Sequence, residues 1–252
     1  MIELRSLPEL CIQRRRESAC STCGAREFSV CGSLAPGDLA ELDAIAEHIG
    51  LQAGDPLVHE GDAATSLFNV TSGSMRIYKL LPDGRRQITG FLFTGDFIGL
   101  ASGDTHAFSV EAIEDTSLCR FRKSEYRALA RERPALESAL LNRAAHELSA
   151  AQNQMLLLGR KTARERVATF LVDLPDRDPA RPSVGGVVHL PMTRSEIADY
   201  LGLTIETVSR ELTKLKTAGI VTLLSLHSLR VEQPERLRAI AEGVQERSAL
   251  SA

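Results

Sequence analysis

The spacing of apolar residues changes along the chain, and each change marks a different kind of structure. Residues 1–33 show no helical or strand period. From Leu51 to Arg122, glycines cut the sequence into short pieces at Gly54-Asp55, Gly61-Asp62, Gly73-Ser74, Asp83-Gly84, Gly95-Asp96 and Gly103-Asp104. The runs between them, Leu67–Val70, Met75–Leu80, Gln87–Leu92, Phe108–Ile113 and Leu118–Phe121, read as strands. Met75, Ile77 and Leu80 set against Arg76, Tyr78 and Lys79 give roughly the alternation of a half-buried strand. Asp83-Gly84 between two such runs is a hairpin turn. Many short strands with regular turns predict an antiparallel roll or sandwich.

Beyond Arg122 the period becomes helical. Arg122–Arg133 predicts a short helix that stops before Pro134, and Pro134 suits the first turn of the next one, where no N–H is needed. In that second helix Leu141, Ala144, Leu148, Ala151, Met155 and Leu158 recur at alternating spacings of three and four. That stripe is a coiled-coil seam, so the helix is expected to pair with a second copy of itself. Leu140, Leu156 and Leu157 lie off the seam and are expected to pack on the chain's own domains. Gly159 marks a hinge. Thr162 and Glu165 have capping-box spacing at the head of a helix to Leu174, followed by a proline-rich loop from Pro175 to Pro182.

Met192–Ala218 carries the most specific pattern. Thr193 and Glu196 form a second capping box, Ile197, Ala198 and Leu201 give a short helix an apolar stripe, and Gly202 ends it. Thr204 starts another helix whose inward face is Val208, Leu212 and Leu215. This is a helix-turn-helix. The outward face of its second helix holds Ile205, Glu206, Ser209, Arg210 and Lys214. Arginine can donate two parallel bonds to guanine, glutamate can accept from the cytosine amino group, and serine can serve in either role. Glu206, Ser209 and Arg210, with Thr204 at the helix start and Lys214 further along, are the candidate contacts to double-stranded DNA. Ile220–Val231 predicts two strands about Ser225–Ser228, the wing of a winged helix, and Pro234 opens a last helix over Glu235–Val244.

Composition refines this picture. A chain of 252 residues, 43% of them hydrophobic, supports two modest domains or one large one. No apolar run approaches the ~20 residues of a membrane span, and the first residues lack the pattern of a secretion signal, so a cytoplasmic protein without membrane contact is expected. The net charge of −3 does not advertise nucleic acid, and residues 190–252 balance eight Lys/Arg against eight Asp/Glu. Sequence-independent attraction to phosphates is then modest, and DNA affinity must come from two copies and from base contacts. The six histidines are scattered and no acid–base or nucleophile set emerges, so no enzyme is expected. Cysteine is concentrated near the N-terminus as Cys11, Cys20, Cys23 and Cys31, with Cys119 alone in a strand. Clustered cysteines in a cytosolic protein argue for metal rather than disulfides. Cys20, Cys23 and Cys31, completed by Cys119, suit either a structural zinc or an iron–sulfur cluster.

The order of these parts resembles the CRP/FNR family of transcription regulators. The α+β fold the resemblance implies has a cysteine-rich arm (1–33), a cyclic-nucleotide-binding-like β-roll (34–133), a dimerisation helix (134–160) and a winged helix-turn-helix (161–252). The set Glu206-x-x-Ser209-Arg210 is similar to the FNR branch, because CRP-type members carry arginine where this chain has Ile205. By that likeness Glu206, Ser209 and Arg210 read TTGAT-type inverted repeats. It also implies a [4Fe–4S] cluster on Cys20, Cys23, Cys31 and Cys119 that responds to oxygen. No arginine lies between Gly95 and Cys119 to clamp a phosphate, so no cyclic nucleotide is expected. Family activators touch RNA polymerase through loops of the roll, for which Leu81–Arg86 is the candidate. Members that switch by dissociating hold an acidic seam residue. The matching position here is Ala151, with Glu147 one turn earlier, which weakens the dissociating version of the switch and leaves a dimer that twists as the alternative.

Overall fold

The computed structural model describes residues 19–20, 22–100 and 103–244. Cys11 and the rest of the first eighteen residues lie outside them. Two short 3-10 turns, Arg26–Phe28 and Val30–Ser33, lead into α1 (Pro36–Ala44). Then come β1 (Ala46–Leu51), β2 (Pro56–Val58), β3 (Ser66–Ser72), β4 (Met75–Leu80), β5 (Arg86–Leu92), β6 (Phe97–Ile98), β7 (Ser109–Ala112) and β8 (Thr116–Arg122). They form two antiparallel four-stranded sheets in the orders β1-β8-β3-β6 and β2-β7-β4-β5. Phe68, Val70, Met75, Val110, Ala112 and Leu118 fill the space between the sheets.

The roll was legible where strands alternate. Three strands were not expected: β1, whose Ala-Glu-His-Ile-Gly-Leu has almost no buried stripe; the three-residue β2; and β6, which has only two residues. Helix α1 was also missed, because only Leu39 and Leu42 of its nine residues are buried.

Helix α2 (Lys123–Glu132) is followed by α3 (Pro134–Arg160), a 27-residue helix that opens at Pro134 as expected. Two expectations are corrected here. Gly159 is no hinge: α3 runs through it, Lys161 N–H still bonds Leu157 O at 3.3 Å, and the chain turns at Lys161 and Thr162. Pro175 does not begin a loop either. Helix α4 (Ala163–Arg177) carries it in its last turn, giving up the one intrahelical bond its missing N–H would have made, and the turn still closes from Asp178 N–H to Leu174 O at 3.2 Å. The capping box of Thr162 and Glu165 at the head of α4 is formed in both directions.

The C-terminal part adds β9 (Val187–His189), α5 (Arg194–Leu201), α6 (Ile205–Thr217), β10 (Val221–Leu223), β11 (Ser228–Val231) and α7 (Pro234–Ala241). β10, β11 and β9 make a small antiparallel sheet, so the wing has a third strand that was not expected. Ile88, Phe91 and Phe93 of the roll share one core with Phe170 of α4 and Tyr200 of α5. Phe91 lies 5.2 Å from the Tyr200 ring and 6.3 Å from that of Phe170. The same face is laced by ions: Arg76 of β4 bridges Glu111 and Glu196, Arg86 bonds Asp199 at 3.0 Å, and Gln87 donates to Asp199 O at 2.6 Å.

Candidate nucleic-acid interface and thiol site

The helix-turn-helix is built as its sequence required. Thr193 Oγ1 accepts from Glu196 N–H, and the Glu196 carboxylate takes the Thr193 N–H at 2.7 Å. Gly202 turns the chain at φ 61°, ψ 43°, the left-handed region where a side chain is strained. Ile197, Ala198, Leu201, Val208, Leu212 and Leu215 are all buried in one core. Arg166 of α4 was not anticipated. Its guanidinium donates to Leu158 O at 2.8 Å and to Leu201 O at 2.9 Å, so one cation caps the ends of both α3 and α5. Only the fold brings those two carbonyl ends together.

On α6, Thr204 caps the helix by accepting from Thr207 N–H at 3.2 Å. Thr204, Glu206, Arg210 and Lys214 are exposed along one side, with Ser209 half-buried among them. The backbone N–H at the helix start, then the Thr204 hydroxyl, hold the Glu206 carboxyl below its usual range, so it stands ready as an acceptor. Arg210 rests on Thr207 Oγ1 at 3.3 Å, a contact it can exchange for a base edge. Lys214 is tied to Glu211, a buried carboxylate, at 2.7 Å, and its helix-borne charge is partly spent there.

On α3, Leu141, Leu148 and Met155 are exposed by 66%, 62% and 66%, and Ala144 and Ala151 are exposed beside them. The expected seam is thus an open apolar stripe. Leu158 departs from it: it is half-buried against the helix-turn-helix core, 3.5 Å from where a Cβ on Gly202 would stand. Leu140 and Leu157 pack on the chain's own cores as expected, whereas Leu156 is 58% exposed. Glu147 turns toward Arg143, at 3.4 Å, and Arg143 also pairs with Asp96 of the roll. In the Leu81–Arg86 turn Arg85 pairs with Asp83 and Arg86 with Asp199, leaving Leu81 and Asp83 outward.

The four predicted thiols come together, and none is in a disulfide. Cys20, Cys31 and Cys119 share one core with Val30, Leu34, Phe97, Phe121, Tyr126 and Leu136, the last from the first turn of α3. Cys23 is half-buried and close enough for Cys31 and Cys119 to feel its charge. Burial, first of all, raises the pKa of Cys20, Cys31 and Cys119, that of Cys119 to about 12, and each also feels the charge of other cysteines in the set. Packed this way the thiols stay protonated unless a cation compensates them. Among the described residues, no three His, Cys, Asp or Glu side chains converge on a position for one metal ion. Near these thiols, Asn69, across from Cys119 in the β3–β8 pairing, and Tyr126 each hold a buried side-chain oxygen with no hydrogen-bond partner. Gly95 lets the arm approach: a Cβ there would stand 2.5 Å from Phe28 O. Two neighbours were missed by the sequence, Asp43, which takes the Cys20 thiol hydrogen bond, and His48, 3.5 Å from Cys119 Sγ. Both sit on unexpected elements, α1 and β1.

Fold and helix-turn-helix together define a β-roll-plus-winged-helix DNA-binding regulator. Residues 49–133 match the cyclic nucleotide-binding domain family and residues 165–240 the Crp-like helix-turn-helix domain family. The chain is 42% identical over 223 residues to the transcriptional activatory protein AadR of Rhodopseudomonas palustris, covering 88% of this chain and 93% of that protein. It is also 42% identical over 222 residues to the nitrogen fixation regulation protein FixK of Bradyrhizobium diazoefficiens, again 88% and 93% of the two. The solved structure of FixK2 from Bradyrhizobium japonicum superposes with a TM-score of 0.73 at 40% identity, over 78% of this chain and 97% of that one. The chain belongs to the CRP/FNR family of transcription regulators and is no enzyme.

Proposed function

We propose that this regulator is an oxygen-responsive transcriptional activator that works as a homodimer on TTGAT-type inverted repeats and carries a [4Fe–4S] cluster on Cys20, Cys23, Cys31 and Cys119. The observation that carries the reading is the meeting of arm thiols with Cys119 in a core that also holds Leu136 of α3. The donor set fits the group. Four free thiols are the ligand type such a cluster takes, and the Tyr126 hydroxyl in the same core lacks an acceptor. When bound, such a cluster supplies an oxygen-labile bond between the arm and the roll. The residues do the rest. Val30 and Leu34 press the arm on Leu136, Phe28 lies against Gly95, and Asp96 next to it holds Arg143 of α3. Order in the arm is thereby passed to the helix whose Leu141–Met155 stripe pairs two copies.

Pairing places two α6 helices about one duplex turn apart, ~34 Å, to read an inverted repeat. Glu206, Ser209 and Arg210 read bases, and Thr204 and Lys214 support them. No cyclic nucleotide is part of this reading, and Arg143, a cation that α3 brings to the roll, is already paired to Asp96. The name of the activatory protein AadR supports activation, and the outward Leu81 and Asp83 of the roll offer a surface for RNA polymerase. The test is anaerobic purification with iron and sulfide assay, then gel shift on a TTGAT inverted repeat before and after air. Stoichiometric iron and sulfide with air-sensitive binding support the reading. Colourless protein holding zinc, or equal binding in both atmospheres, overturns it.

A further inference from the structure

Two donors border the thiols without a role in holding them. Tyr126 of α2 is fully buried in the thiol core, its ring 5.2 Å from Phe121 and 5.5 Å from Phe97. Its hydroxyl has no hydrogen-bond partner, and the group it feels electrostatically is Cys31. A buried hydroxyl left unpaired costs stability, so its retention in an otherwise apolar wall calls for an acceptor. His48 comes from β1. β1 and β8 pair so that His48 stands directly across from Cys119, which places both side chains on one face of the sheet. There Nδ1 reaches Cys119 Sγ at 3.5 Å, and Asp43 lies 4.0 Å from Nε2 while taking the Cys20 thiol. The strand register fixes the first donor pair and the aromatic packing fixes the second, so neither depends on a flexible loop.

We infer that Tyr126 and His48 are the hydrogen-bond donors of the second layer around the thiol site, O–H from the Cys31 side and ring N–H to the Cys119 sulfur. This rests on the cluster reading above. Donors to ligand sulfurs stabilise the more negative, reduced form and so raise the reduction potential. They also orient the ligands, and losing such partners typically weakens metal holding by about 10- to 100-fold. In this chain the two residues are positioning residues that set how readily oxygen removes the metal centre.

The experiment uses full-length protein reconstituted without air, as wild type, Tyr126→Phe, His48→Leu and His48→Gln. Tyr126→Phe deletes one oxygen and keeps the ring. The apo form is therefore expected to melt no lower than wild type, while the loaded form loses its iron-sulfur absorption several-fold faster in air and shows a lower potential. His48→Leu is expected to do the same, and His48→Gln, which keeps an N–H donor, to recover part of the loss. A structural role alone would lower the apo melting temperature and leave the potential unmoved. Loaded variants with wild-type potentials and decay rates overturn this inference and leave the cluster intact. Wild type that binds no iron and sulfide overturns the cluster itself.

Discussion

Arg76 offers the sharpest test of how the roll and the DNA-binding domain are joined. Its guanidinium lies between Glu111 on β7 and Glu196 on α5, and the Glu196 carboxylate also closes the capping box of that helix. The three side chains are only 14%, 19% and 6% exposed, so solvent does little to screen them. Replacing Arg76 by leucine keeps the apolar stem but leaves two carboxylates facing each other. Removing one partner from a buried pair costs about 3–5 kcal/mol. The residual exposure argues for the lower end, about 3 kcal/mol. In a chain of this size each kcal/mol moves the midpoint by roughly 2–4 °C, so a drop of roughly 6–12 °C is expected. The double variant Arg76→Leu/Glu111→Gln removes one stranded charge and should regain part of that drop. Thermal unfolding followed by circular dichroism reads both. A single variant within about 1 °C of wild type would refute the electrostatic account of the joint. So would a double variant no better than the single.

Arg210→Ala should weaken binding to the cognate repeat by about 1–3 kcal/mol and relax discrimination at one base position, whereas Lys214→Ala should lower affinity evenly across sequences and reduce the salt slope by about 1; equal losses on cognate and scrambled DNA for Arg210→Ala would count against base reading. Leu148→Asp, at the middle of the exposed α3 stripe, should halve the sedimenting mass by placing like charges across the two-fold axis; an unchanged mass places the dimer contact elsewhere. Burial, and then Arg181 3.2 Å from Nδ1, hold the His189 pKa below its ordinary ~6.5, and burial does the same for His106. A depressed histidine stabilises the fold above the unfolded value and loses that contribution as pH falls through it. Stability should therefore decline from pH ~7 toward ~5, and His189→Asn should flatten the slope in urea titrations; an unaltered slope refutes the assignment.

Much of this molecule was written in local patterns. The capping boxes at Thr193 and Thr162, the turn at Gly202 and the inward Val208, Leu212 and Leu215 each need only near neighbours, and all formed as the sequence required. Pro134 set the start of α3 because proline's missing N–H is harmless only in a first turn. The α3 stripe was legible as a period, but its last member was not. Leu158 has the spacing of a seam residue, yet Gly202 and the helix-turn-helix core reach it first.

Tertiary structure decided what lies far apart in sequence. Register between β1 and β8 put His48 beside Cys119, although β1 itself carries too few buried residues to betray a strand. Arg166 caps two helix ends that meet only in the fold, and Arg76 finds Glu196 from 120 positions away. Spacing records what a residue's neighbours along the chain demand. Long-range pairs leave no such period, because either partner alone is an ordinary charged or polar residue.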